Sequence, residues 1–288
     1  MRNLAAALFV LLLFACKPKP EAEIARLEAH LAPDYRVGAV DSLLAFYRQA
    51  VDAHPDDHAA NLNTLTKGAA LHFDQRQMGD EALRWLDEAL AKHAAGQSLA
   101  RPVALLARLW NAHNYRSNAT SRMTEADVQT LRALLNQNRP WIDSALTLLE
   151  NEMGSPVVND ARKATQFIEV SEGYAQLVAD TDTSKAIHLT LIAAGLAKTI
   201  DKPDKALQLY YEVAEKHPAH PKAPTALFMM GHIYEDDMQD LERAKSAYET
   251  FLERYPNDPD YADDATSALK YLGKSPEELI REFEKRNQ

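Results

Sequence analysis

The chain has 288 residues, enough for one large core or two smaller ones, and 46% apolar with 26% charged residues excludes a wholly disordered chain. A formal net charge of −10 argues against a nucleic-acid partner. Nine glycines, 14 prolines and no run of β-branched alternation, with Ala, Leu, Glu and Lys filling long periodic segments, point to helices throughout.

The N-terminal "MRNLAAALFVLLLFAC" has a positive start at Arg2, an apolar run from Leu4 to Ala15, and then Cys16. Such a run is too short for a stable bilayer span and fits the core of a signal peptide. "LFAC" resembles the lipobox of bacterial lipoproteins, in which a small residue precedes a cysteine. The resemblance implies that residues 1–15 are a lipoprotein signal peptide and that Cys16 is lipidated. Cys16 is the only cysteine, so no internal disulfide can form. Acyl chains at about 0.8 kcal/mol per buried methylene make a durable anchor. Residues 16–40, opening with "KPKPEAE", read as a tether and leading segment.

Residues 41–180 read as an N-terminal helical region. "LLAFYRQAVDAHPDDHAANLNTLTKGAAL" places Tyr47 eight before Pro55 and Gly68 13 after it. The aromatic fills a helix face, and the proline ends the helix because it cannot donate the backbone bond. Between about 95 and 180 this frame fades. Helix signals continue there: Thr124-x-x-Asp127 is close to a capping box, and Pro140-Trp141 starts a helix carrying Ile142, Ala145 and Leu149. Gly154-Ser155-Pro156 breaks the chain before a helix through Phe167, Val170 and Tyr174. Degenerate hairpins and a helical insertion both fit this stretch.

Residues 181–288 show the frame most clearly. Ala206 matches Ala244, Tyr210 matches Tyr248, Pro218 matches Pro256 and Pro221 matches Pro259, all 38 apart. Self-similarity at this period indicates stacked helical hairpins. The alanine lets two helices approach, and the aromatic four residues on fills the gap on the same face. Gly231, 13 beyond Pro218, is expected to permit close packing against the preceding hairpin. Ser275-Pro276-Glu277-Glu278 reads as a capping box that opens a terminal helix.

This small–x–x–x–aromatic pattern, closing proline and Gly-x-x-Tyr at Gly231 and Tyr234 resemble the tetratricopeptide repeat, best from about Ser184 to Gly273. The turn Pro218-Ala-His-Pro221-Lys-Ala223 is similar to the subtype found in envelope lipoproteins of outer-membrane assembly and Tol-Pal complexes. The resemblance implies an all-α fold, an α-α superhelix of antiparallel helix hairpins. It also implies a non-catalytic scaffold that holds a protein or peptide partner in the bacterial cell envelope, at the periplasmic face of the outer membrane. Carried onto the best-matched repeat, the groove positions of the family fall on Thr225, Phe228, His232, Glu235 and Asp236. An acidic rim over an aromatic floor would favour a basic or extended peptide.

No phosphate-cradling loop, dinucleotide fingerprint or zinc-protease motif is present. His217 and His220 sit in a proline turn with only His232 nearby, short of a zinc set, and no metal or cofactor is expected. "HPDDHAA", His54–Ala60, has the residue types of an acid–base or metal cluster but reads as a proline turn and helix start. Two other readings stay open: a metal-dependent hydrolase using these His/Asp clusters, and a ligand-binding lipoprotein serving a transporter.

Overall fold

The computed structural model describes residues 20–31, 37–153, 160–274, 277–278 and 280–281. Cys16, residues 17–19 and 32–36 of the expected tether and leading segment, the break at 154–156 and Ser275 with Pro276 lie outside the described residues. The fold is all-α, and no strand occurs among the described residues. Two compact units divide the chain, residues 1–141 and 142–288. The helical region expected over 41–180 therefore contributes to both.

The first unit contains α1 (Pro20–Leu31), α2 (Val37–Ala53), α3 (His58–Asp74), α4 (Gly79–His93), α5 (Ala100–Asn114) and α6 (Glu125–Gln137). Helices pack mainly on their chain neighbours, α3 against α4 most extensively. Asp57 caps α3 by accepting from the Ala60 N–H at 3.1 Å, so "HPDDHAA" runs from a turn into a helix N-terminus. Thr124 and Asp127 form a reciprocal capping box at α6. Tyr47 is buried, and its hydroxyl donates to Glu28 at 2.6 Å, tying α2 to α1.

The second unit contains α7 (Ile142–Met153), α8 (Ala161–Val178), α9 (Thr183–Thr199), α10 (Pro203–Lys216), α11 (Ala223–His232), α12 (Leu241–Arg254) and α13 (Ala262–Tyr271). Asp160, Asp182 and Asp240 cap α8, α9 and α12, and Pro203 and Pro224 occupy first-turn positions of α10 and α11. One apolar cluster runs from α8 to α13 through Ile168, Ile187, Ala206, Tyr210, Leu227, Tyr248, Phe251 and Ala265. Ala206 and Ala244 are both fully buried, as their matched places in the 38-residue frame require.

Two kinds of turn recur. Within the hairpins α3/α4, α5/α6, α9/α10 and α11/α12 the turn passes through a left-handed residue that is not glycine: Gln77, Arg116, Asp201 and Gln239, with φ of 55, 51, 59 and 54°. The next residue then donates back into the preceding helix or its last turn: Met78 to His72 O, Ser117 to Ala112 O, Lys202 to Ala197 O and Asp240 to Tyr234 O. Between hairpins, at Pro55, Pro218 with Pro221, and Pro256 with Pro259, prolines stop the helix instead.

Candidate partner-binding site

All five expected groove residues lie on α11 and the π-helical turn Ile233–Asp237 that extends it. They divide into two groups. Phe228 is half-buried and engaged by the fold: its ring stacks on Tyr261 at 4.6 Å between centroids and also meets Tyr248 and Phe251. Glu235 accepts from the Tyr248 hydroxyl at 2.9 Å. Burial and that bond hold the Tyr248 phenol well above its ordinary range, so it remains a donor. His232 and Asp236 stand more open, with side chains 41% and 54% exposed and Nδ1 2.7 Å from Oδ2. Thr225 is half-buried at the start of the row.

The π turn was not legible from the sequence. It shifts the helix register after Ile233 and brings Glu235 to Tyr248 while Asp236 and Asp237 stay exposed. Lys198 of α9 pairs with Asp237 at 3.1 Å, and the Gln239 amide donates to the carbonyls of Glu235 and Asp236 at 3.0 Å each. The acidic turn is thus held from two sides. Its open edge presents a carboxylate and an imidazole suited to a hydrogen-bonding or cationic partner.

Gly231 departs from expectation in its partner. A Cβ there would lie 2.5 Å from Tyr248 Cε1, so the close approach is to α12 of the same hairpin, not to the preceding hairpin. Gly68 of α3 faces Trp85 of α4 in the same way. Trp85 follows Tyr47 by 38 residues, the interval that separates Tyr210 from Tyr248, so the same frame is present in the first unit.

The turn around His217 and His220 is a backbone turn: His220 N–H donates to His217 O at 2.9 Å, and the His220 ring accepts from the Lys222 N–H at 3.2 Å. Among the described residues, no group of three or more His, Cys, Asp or Glu side chains could hold a metal. His58 meets not His54 but His93, at 3.0 Å.

Residues 225–258 match the family model of the tetratricopeptide repeat. The span runs from the first turn of α11 through the π turn and α12 to Asp258. That segment, a hairpin packed against its chain neighbours, is thus similar to one tetratricopeptide repeat. No curated protein matches the chain.

Proposed function

We propose that this protein is a non-catalytic scaffold that is anchored in the bacterial cell envelope through lipid on Cys16 and holds a protein or peptide partner against α11. The matched repeat at 225–258, with the His232–Asp236 edge open on its first helix, carries the reading. Thr225, His232 and Asp236 contact the partner; Phe228 and Glu235 set the shape of the edge through Tyr261 and Tyr248. An acidic edge of this kind suits an extended segment with a basic or amide-rich character. The "LFAC" motif supports the anchor, and a place beside outer-membrane assembly or Tol-Pal-like complexes rests on the proline turn at 218–223.

The experiment is crosslinking in cells, followed by purification of the chain with its partners. Asp236→Lys is expected to lose the captured partner while the chain stays folded. Retention of every partner would overturn the assignment of α11. The anchor is tested separately: Cys16→Ser should abolish incorporation of labelled fatty acid and release the chain from the membrane fraction.

A further inference from the structure

The α3/α4 hairpin gathers three histidines outside the proposed partner edge. His58 begins α3 and His93 ends α4; their Nδ1 atoms are 3.0 Å apart and their ring centroids 5.3 Å apart. His58 is exposed, whereas His93 is only 4% exposed. His72, also on α3, is 6% exposed; its ring lies 5.3 Å from that of Trp85, and its Nδ1 has no hydrogen-bond partner.

Neutral imidazoles suit both places. In the pair, one ring donates its N–H to the lone pair of the other. A single added proton still leaves one N–H···N bond. A second would set two donors head to head across 3.0 Å, with one ring cut off from water. The closed hairpin therefore holds at most one extra proton at the pair, and an opened hairpin holds two. Around His93 stand His58, Lys92 and Glu88; burial is the strongest influence, then His58, and together they depress its basicity against the pull of Glu88. Around His72 stand Arg76, Arg48 from α2, and Glu81 and Asp80 from α4; burial and the arginines again depress it. Both groups favour the closed form at neutral pH, and that contribution is lost as the pH falls below the ordinary histidine value of about 6.5. In the second unit no described histidine is buried.

We propose that the α3/α4 hairpin is an acid-operated latch, closed while His72 and His93 are neutral and opened by uptake of about two protons in mildly acidic medium, with the second unit staying folded. Opening separates Gly68 from Trp85 and breaks the stack of Arg48 on the Trp85 ring at 4.0 Å. The device is independent of the partner edge on α11.

Hydrogen exchange on the full chain, corrected for intrinsic rates, tests it between pH 7.5 and 5.5. Protection in α3 and α4 is expected to fall at least about tenfold while that in α10–α12 changes less than about twofold. His58→Gln keeps an acceptor for His93 without a second charge and should cut the pH slope from about two protons to about one. Protection in α3/α4 that follows α10–α12 across the range, or an unchanged slope in His58→Gln, would overturn the latch. Imidazole titration by NMR gives a second readout that needs no variant: independent uptake of two protons by His58 and His93 in the ordinary histidine range would also overturn it.

Discussion

The ring of Tyr248 occupies the space that a side chain at position 231 would need: a Cβ on Gly231 would lie 2.5 Å from Cε1 and 2.7 Å from Cδ1. Gly68 and Trp85 repeat the relationship in the first unit at the same separation of seventeen residues, with distances of 2.0 and 2.2 Å to the indole. In each hairpin the glycine is what lets a large ring of the second helix lie against the backbone of the first.

Gly231→Ala is expected to destabilise the second unit by about 1–3 kcal/mol, because a fully packed ring must move to admit the methyl. Gly68→Ala should cost as much or more in the first unit. Gly195, mid-helix in α9, supplies the contrast: its nearest neighbour would be the Tyr210 hydroxyl at 3.8 Å, an ordinary contact. Gly195→Ala should therefore stabilise by about 0.5–1 kcal/mol through helix propensity. Urea unfolding followed by helix circular dichroism measures all three.

Tyr248→Phe removes the donor to Glu235 and should cost about 1 kcal/mol. Because the folded phenol is held above its ordinary range, this contact contributes fully below pH about 10 and is lost as the phenol ionises at higher pH. Tyrosine absorbance should accordingly show one phenol fewer ionising together with alkaline unfolding in the Phe variant than in the parent chain, Tyr210 being buried as well.

Packing and binding on α11 separate by substitution. Phe228→Ala removes the ring stacked on Tyr261 and should destabilise by about 2–4 kcal/mol. Asp236→Lys, on an exposed edge, should change stability by no more than about 0.5 kcal/mol. Thermal melts beside partner capture distinguish them: the first lowers the melting temperature, the second lowers capture alone.

Asp201→Gly should stabilise the α9/α10 hairpin by about 1 kcal/mol, since a left-handed backbone with φ of 59° burdens an L residue and not glycine. Gln239→Gly should gain less, because the Gln239 amide holds the carbonyls of Glu235 and Asp236. Paired denaturation curves of the two variants give the difference directly.

The 38-residue frame at Ala206, Tyr210 and Pro218 was legible because it is a local pattern: small and large residues at helical spacing, then a residue that cannot continue a helix. The same reasoning exposed the capping pair Thr124 and Asp127. The four left-handed turn residues were not legible, since none is glycine and no side chain announces a positive φ at Gln77, Arg116 or Gln239. The candidate edge was legible in position but not in state: α11 and the π turn that extends it carry all five residues, yet Tyr261 covers Phe228 and Tyr248 binds Glu235.

By itself the sequence determined that the chain is a succession of helices punctuated by proline turns, because periodicity and helix stops act within one or two turns of backbone. Tertiary structure alone decided which distant groups meet: Trp85 on Gly68, His93 on His58, and Lys198 on Asp237. Those meetings depend on the angle and register at which neighbouring helices pack, which arise from the summed fit of many side chains and not from any one residue.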